Sequence, residues 1–305
     1  MKNKNPVDRF ARHGAHVFGK PRLLVIGCGD VGMRLVPLLR QRFRVFAVTS
    51  QPARREELRA AGAVPLVADL DNPHSLVRLA RLAPWIVHLA PPQAEGEKDW
   101  RTRNLTAILP DRATLVYVST TGVYGDCGGE WVDEMRPVRP QNARARRRVD
   151  AETVLRGWAR RSGSRLAILR VPGIYADNRL PLDRLKKNIP ALLPQDDVHT
   201  NHIHADDLAN IIALALFRAR PCRAYNTVDD SDMKMGEYFD AVADRFELPR
   251  PPRLPREELQ RMVSPVLWSF MRESRRLVNL RMKTELDVRL RYPEVLQALR
   301  QMKND

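Results

Sequence analysis

Short apolar runs alternate with segments of helical periodicity over the first 120 positions of the chain. The runs predict parallel strands, since strands buried on both faces lack a polar alternation. They lie at residues 23–26, 43–48, 64–67, 85–89 and 114–119. Helices are predicted between them, after Gly32 and at 55–61, 75–82 and 99–109. This alternation with short connections predicts an α/β fold with a doubly wound parallel sheet, which binds ligands at the carboxyl ends of its strands.

The turn after the first strand has the spacing G-x-G-x-x-G, formed by Gly27, Gly29 and Gly32. Gly27 permits a tight turn, Gly29 leaves room for a pyrophosphate, and Gly32 lets the next helix pack closely on the strand. The free N–H groups of that helix, which starts at Asp30 and Val31, then face the phosphates. This context predicts a dinucleotide site, and a glycine turn in some other α/β protein is the alternative.

The end of the second strand indicates which dinucleotide is bound. NAD-binding versions of this unit place an Asp or Glu there to bind the ribose 2′-OH. Here Thr49 and Ser50 occupy that place, and Arg54 and Arg55 follow. Two hydroxyls and two guanidiniums suit a 2′-phosphate, so NADP is predicted, with NAD as the other possibility. Alternatively, the two arginines only cover the exposed first turn of a helix.

The ends of the other strands supply the rest of the predicted cofactor site. Loops that follow parallel strands meet at one edge of the sheet, where the pyrophosphate and the nicotinamide ribose would lie. The residues predicted there are Asp69, Leu70, Leu89, Ala90, Pro91, Ser119, Val171 and Pro172.

Composition narrows the class of protein. The 305 residues include only three cysteines, far apart, which argues against a disulfide framework and for a reducing compartment. No metal-ligand set is recognised, so no metal is expected. No apolar run approaches the ~20 residues of a membrane span, and we expect a cytoplasmic protein with no membrane partner. Residues 1–20 lack the apolar core of a signal peptide and are predicted to be a basic extension.

The formal net charge of +16 is typical of proteins that bind nucleic acid, which makes nucleic acid a candidate partner. The arginines are spread through every segment, however, and no zinc finger or helix-turn-helix motif is recognisable. A basic site for an anionic small molecule is therefore favoured over a nucleic-acid partner. Candidates for it in the C-terminal half are Arg179, Arg184, Lys186 and Lys187.

Five sequence blocks carry a family resemblance. They read STTGVYG at 119–125, RVPGIY at 170–175, NHIHADD at 201–207, RAYNTV at 223–228 and SRRLVNLRMKTEL at 274–286. In this order they resemble the extended short-chain dehydrogenase/reductase superfamily, of the NAD-dependent epimerase/dehydratase type. The resemblance implies a Rossmann cofactor domain at 21–174 and a small C-terminal substrate lobe at 175–305, with 205–228 returning to the Rossmann core.

The resemblance also implies a catalytic Ser/Thr, Tyr and Lys, the last two spaced Y-x-x-x-K on one helix. Thr120 falls on the Ser/Thr position, but Arg144 and Arg148 stand where the Tyr and the Lys are expected. Arginine keeps its proton near neutral pH and cannot act as the proton donor, although Arg148 could hold a ribose. Tyr124 is the second catalytic candidate, with packing at the strand end as its alternative role. The chain thus resembles atypical members of the superfamily that lack the Tyr/Lys pair.

Three functions are compatible with these observations. The favoured one is an NAD(P)-dependent oxidoreductase or epimerase/dehydratase-like enzyme acting on a polar small molecule, such as one resembling a sugar nucleotide. The second is a non-catalytic NADP-binding sensor or assembly protein, since both the Tyr and the Lys are missing. The third is a nucleic-acid-binding protein that uses the basic surface. The superfamily also implies a homodimer, which would pair the helix at 143–158.

Overall fold

The computed structural model describes residues 19–302, so the predicted basic extension lies outside the described residues apart from Gly19 and Lys20. The strands in chain order are β1 (Arg22–Ile26), β2 (Arg44–Thr49), β3 (Val64–Val67), β4 (Trp85–His88), β5 (Thr114–Thr120), β6 (Trp131–Val132), β7 (Arg165–Val171), β8 (Gly173–Tyr175), β9 (Ala191–Leu192), β10 (His199–Thr200), β11 (His202–His204), β12 (Arg223–Asn226), β13 (Met233–Lys234), β14 (Arg253–Leu254) and β15 (Arg276–Leu277). The α-helices are α1 (Asp30–Leu39), α2 (Arg55–Ala60), α3 (Trp100–Thr106), α4 (Ala143–Ser162), α5 (Leu182–Lys186), α6 (Ala205–Arg218), α7 (Met235–Arg245), α8 (Arg256–Met262), α9 (Pro265–Met271), α10 (Leu280–Leu286) and α11 (Val295–Gln301).

Seven of the strands form one parallel sheet in the order β12-β7-β5-β4-β1-β2-β3. In register, Leu24 of β1 lies between Phe46 of β2 and Ile86 of β4. The chain runs outward from β1 to β3 and then crosses back to β4, which places a topological switch point between β1 and β4. This confirms the predicted doubly wound fold, and ligands bind such sheets in the crevice outside the strand ends at that point.

Both faces of the sheet are buried, as the continuous apolar runs predict. Successive side chains of a strand point to opposite faces. Leu23 and Val25 therefore pack in one apolar cluster with residues of α1 and α6. Leu24 and Ile26 pack in a second cluster with residues of α3 and α4. The two layers of helices hold the carboxyl ends of the strands in a fixed arrangement.

One predicted element differs in type. Residues 75–82 are predicted to form an α-helix, but the structure has a 3-10 helix over Pro73–Leu79. The Asn72 side chain caps it by accepting a hydrogen bond from the His74 N–H at 3.1 Å. Leu76 and Leu79 are its buried residues. Their spacing of three matches the three residues per turn of a 3-10 helix, so both reach the core from one face.

The chain beyond β7 adds short elements with apolar clusters of their own. Tyr238 and Val242 of α7 pack with Val295 of α11 in one of them. Leu259 of α8 and Trp268 of α9 pack in another. Between these elements, α6 and β12 return to the central sheet, where β12 pairs with β7. Within residues 19–302, no helix combines the length and the apolar character needed to cross a membrane.

Candidate functional site

The glycine turn packs tightly against the end of β4. Gly27 has a φ of +79°, and a Cβ added to it would lie 2.7 Å from the backbone of Ala90. A Cβ added to Gly32 would lie 2.8 Å from the Sγ of Cys28 and 3.4 Å from the Cδ1 of Leu89. Real Cβ atoms do not make contacts under 3.0 Å, so Gly27 must be glycine, and a side chain at Gly32 would force the Cys28 thiol to move. The turn is therefore held against the switch point of the sheet.

Gly29 is different, because open space lies in front of it. Among the described residues, no atom comes within 4 Å of an ideal Cβ on Gly29. Gly29 is also the N-cap of α1, and no side chain caps this helix end. The first N–H groups of a helix have no partner within it, and they attract anions together with the helix dipole. The residues present at this helix start thus fit the pyrophosphate of a dinucleotide.

Asp30 ties the start of α1 to the segment after β8. Its carboxylate accepts hydrogen bonds from Asn178 and Arg34 and pairs with Arg179, each at 3.3 Å. Partial burial raises the pKa of Asp30, but the Asn178 hydrogen bond and the charges of Arg34 and Arg179 together lower it below its usual value. Asp30 is therefore an anion at neutral pH. It ties Arg179 to the start of α1.

The predicted ribose-binding residues lie at the end of β2 but differ in availability. Thr49 is mostly buried, and its Oγ1 accepts the Gln51 N–H at 3.1 Å. Ser50 and Arg55 are exposed. The guanidinium of Arg54 donates from Nη1 to the carbonyl of Cys28 in the glycine turn, at 2.6 Å. Its other edge pairs with Glu57, so Arg54 reaches the turn with its charge partly neutralised.

The other predicted cofactor residues divide into core and edge positions. Leu70 and Val171 are buried in the two clusters that flank the sheet. Asp69 is exposed and accepts the Asp71 N–H within its own turn. Pro91 is also exposed at the edge of the sheet.

A cleft of about 330 Å³ lies at the carboxyl ends of β5 and β7. Thr120 and Pro172 line it from the sheet, Tyr238 from α7 and Phe270 from α9. The remaining polar residues that line it are Thr121, Arg144, Tyr175, Arg179, His199, Thr200, Asn201, His202, Ser269, Glu273 and Arg275. Since Arg179 also pairs with Asp30, the cleft adjoins the start of α1.

Thr120 occupies the end of β5 with its hydroxyl in the cleft. Its Oγ1 accepts the Gly122 N–H at 3.3 Å. A hydroxyl has one proton to donate and two lone pairs. The proton and one lone pair of Thr120 thus remain for a ligand.

Two predicted site residues lie instead in a buried network behind the strand ends. Ser119, 3% exposed, donates its hydroxyl proton to Glu152 at 2.7 Å. Tyr124, 1% exposed, donates to Asn226 at 2.7 Å and accepts from Arg170 at 2.9 Å. Burial raises the pKa of Tyr124 to about 12. Both hydroxyls are thus buried and already paired in this structure, and the proton-carrier role of Tyr124 and the cofactor role of Ser119 stay predictions.

The two arginines at the expected Tyr and Lys positions have different surroundings. Arg148 donates from Nη1 to the hydroxyl of Tyr117 and to the carbonyl of Val118, each at 3.0 Å. It is thus anchored to the end of β5. Arg144 lines the cleft, and its guanidinium carbon lies 3.6 Å from the centre of the Phe270 ring.

The segment between α9 and β15 also lines the cleft, which was not predicted from the sequence. Glu273, 5% exposed, accepts hydrogen bonds from Arg275 at 2.8 Å and from Asn142 at 3.2 Å. This segment reaches the cleft because β15 pairs with β6, a contact between distant parts of the chain with no local sequence signal. Of the four basic candidates after β8, Arg179 lines the cleft, whereas Arg184 lies over the Phe239 ring at 4.5 Å.

Comparison with known proteins adds a family and a set of similar folds. A profile of the NAD dependent epimerase/dehydratase family matches residues 23–227. No curated protein matches the chain in sequence. A conserved protein of unknown function from Silicibacter pomeroyi is 29% identical, with a TM-score of 0.75 over 93% of this chain and 98% of that one.

Two sugar-nucleotide epimerases of lower identity share the fold. The UDP-glucose 4-epimerase of Thermotoga maritima, solved with UDP-glucose, is 16% identical, with a TM-score of 0.74 over 91% of this chain and 96% of that one. The UDP-glucose 4-epimerase of Thermus thermophilus, solved with NAD, is 21% identical, with a TM-score of 0.70 over 92% and 99% of the two chains.

Proposed function

The chain belongs to the NAD dependent epimerase/dehydratase family, and we propose that it catalyses nicotinamide-dependent hydride transfer on a polar small molecule bound in the cleft beside Thr120. Membership makes it an epimerase/dehydratase-like enzyme with a nicotinamide cofactor. The observation that carries the proposal is the uncapped start of α1, with open space at Gly29, directly beside that cleft. Arg179 joins the two places, since it lines the cleft and pairs with Asp30.

The residues of the chain have separable tasks in this proposal. The cofactor, when bound, supplies the hydride chemistry. Gly29 and the first N–H groups of α1 hold the pyrophosphate. Arg148, fixed at the end of β5, is placed to contact the ribose. Thr120 holds the reacting oxygen of the substrate, because its hydroxyl can both donate and accept a hydrogen bond.

The cofactor proposed here is NADP(H), although the family description names NAD. No carboxylate stands at the end of β2 to bind a free 2′-OH or to repel a 2′-phosphate, since Thr49 and Ser50 occupy that place. Arg54 lies against the glycine turn, and Arg55 follows it with no partner among residues 19–302. The Arg54–Glu57 pair opposes this preference, because it offsets one of the two positive charges.

Fluorescence titration of the full-length protein with NADH and NADPH tests the proposal. We expect saturable binding of both reduced cofactors, tighter for NADPH. A panel of carbonyl compounds is then added, and oxidation of the bound cofactor is followed by its absorbance. Failure of the protein to bind either cofactor would overturn the proposal. Binding without turnover of any compound would favour the non-catalytic sensor.

The family suggests one protein partner, a second copy of this chain. A homodimer would use the outer face of α4, since Leu155 and Trp158 on its inner face pack against the sheet. That outer face carries Arg156 and Arg160, and Arg160 is exposed. No nucleic-acid partner is proposed. The cleft offers one defined site for an anionic small molecule, whereas the arginines are dispersed and form no comparable site for a duplex.

A further inference from the structure

We propose that Arg144 holds an oxyanion of the substrate, a carboxylate or a phosphate group, within the cleft beside Thr120. This inference rests on the proposed function, in that the cleft is taken to be the substrate site. It assigns a chemical class of substrate and a specificity-determining residue, at the position where the superfamily has its tyrosine.

The Arg144 guanidinium has no anionic partner. Among residues 19–302 it makes neither a hydrogen bond nor an ion pair, and it lies over the ring of Phe270. The nearest acidic side chain in the cleft, Glu273, is already bound by Arg275 and Asn142. Arg144 is partly buried, and partial burial of a charge without a partner costs free energy, which an anionic ligand would offset.

Arg144 lies among several other positive charges. Burial lowers the pKa of Arg144, and the charges of Arg148, Arg147 and Arg275 lower it further, against an opposing effect of Glu273. Arginine nevertheless remains charged in proteins. Arg144 also lies in the first turn of α4, a helix of 20 residues whose amino-terminal dipole end favours anions.

Arg144 and Thr120 line the same cleft. Gly122 follows Thr120 closely, and an ideal Cβ on Gly122 would lie 3.6 Å from the Thr120 Oγ1 and 4.0 Å from the Cβ of Ala145. The start of α4 therefore packs close to the strand end that carries Thr120, with room for about one methyl group between them. An oxyanion on Arg144 would be close to a carbonyl or hydroxyl oxygen on Thr120.

The two groups together define the substrate class. The flat guanidinium matches carboxylate and phosphate through two parallel hydrogen bonds. At about 330 Å³ the cleft is at the small end of ligand pockets. The expected substrate is a small hydroxy or oxo compound that carries a carboxylate or a phosphate near the reacting carbon.

The experiment measures anion binding directly, with inorganic phosphate and acetate as separate probes for the two oxyanions. The dissociation constant of each probe is obtained from the rise in melting temperature of the full-length protein at constant ionic strength. The variants are Arg144→Gln and, as matched control, Arg160→Gln, which removes the same charge from an exposed position on the same helix. Arg144→Lys retains the charge without the planar guanidinium and serves if the glutamine variant does not fold.

We expect Arg144→Gln to weaken binding of at least one probe about tenfold or more, as for a lost hydrogen bond between charged groups, and Arg160→Gln to leave it unchanged. Arg144→Lys should fall between the two. Equal loss in both glutamine variants, or no binding by the parent protein, would overturn the inference. NADH and NADPH affinities are measured on the same samples. Failure of the parent protein to bind either cofactor would contradict the proposed function. A loss of anion binding confined to Arg144→Gln would support the Arg144 site even then.

Discussion

Glu152 of α4 and Arg170 of β7 form a buried ion pair, with the Arg170 Nη2 2.8 Å from the Glu152 Oε2 and each side chain 6% exposed. Glu152 also accepts the hydroxyl proton of Ser119, and Arg170 donates to the hydroxyl of Tyr124. The pair thus joins the helix that carries Arg144 to the strands that end in the cleft. Its role is to position those elements.

Loss of one partner should destabilise the protein strongly. We expect Glu152→Gln to lower the free energy of unfolding by about 3–5 kcal/mol, because it leaves the Arg170 charge buried without a counter-ion. Urea denaturation followed by circular dichroism measures this. The control is Asp244→Asn, which breaks the exposed Asp244–Arg250 pair and should cost about 1 kcal/mol or less. Equal costs for the two variants would contradict the assigned role.

The glycine turn offers a matched pair of substitutions with opposite outcomes. Gly29→Val should leave the fold intact and abolish dinucleotide binding, because the side chain enters the open space in front of α1. Gly27→Ala should instead lower the melting temperature, since its φ is +79° and its Cβ would meet the backbone of Ala90. Circular dichroism melts and NADPH titrations separate the two effects. Retained NADPH binding in folded Gly29→Val would show that the turn is only structural.

Cofactor preference depends on Arg54 and Arg55. We expect NADPH to bind more tightly than NADH, and the double change to alanine to weaken NADPH by about 1.5–3 kcal/mol per lost charge-assisted hydrogen bond. NADH affinity should change little. Arg59→Ala is the control, since Arg59 lies on α2 with Arg55 and is paired with Glu56. Tighter binding of NADH by the parent protein would contradict the prediction.

Thr120 and Tyr124 should differ in how they affect turnover. Thr120→Val is expected to lower kcat with little change in cofactor affinity, because its hydroxyl lies in the cleft and acts mainly in the transition state. Tyr124→Phe should lower stability and leave kcat unchanged, because its hydroxyl is bound by Asn226 and Arg170. Steady-state kinetics with the compound that the parent turns over decides between them. A Thr120→Val variant as active as the parent would remove Thr120 from the chemical step.

Stability should fall at acid pH in part through His202. Burial lowers the pKa of His202 from its usual 6.5 to about 3, so the folded protein keeps the ring neutral in a range where the unfolded chain binds a proton. The contribution of His202 to the free energy of unfolding is therefore fully present above pH 6.5, and it decreases as the pH falls toward 3.

The check is the slope of unfolding free energy against pH over that range, measured by urea denaturation. His202→Gln should make the slope shallower than in the parent, whereas His74→Gln on the surface should not. An unchanged slope in His202→Gln would mean that this histidine titrates alike in both states.

The cofactor half of the site was more predictable than the substrate half. Gly27, Gly29 and Gly32 lie within six consecutive positions, and their spacing reports directly on a turn with special backbone requirements. Arg54 was also predicted to belong to the site from its place after β2, but its pairing with Glu57 and with the carbonyl of Cys28 was not predicted. Those partners depend on side-chain conformations in the folded chain.

The parallel sheet could be predicted from the sequence, because a strand buried on both faces needs a continuous apolar run, and so could the glycine turn. Which hydroxyls face the cleft depends on the folded arrangement of the strand ends. Ser119 and Thr120 are adjacent in sequence, yet one is buried on Glu152 and the other lines the cleft, because successive side chains of a strand point in opposite directions. The lack of an anionic partner for Arg144 also depends on the tertiary structure. Glu273 reaches the cleft from a segment far along the chain, and it is already bound by Arg275 and Asn142.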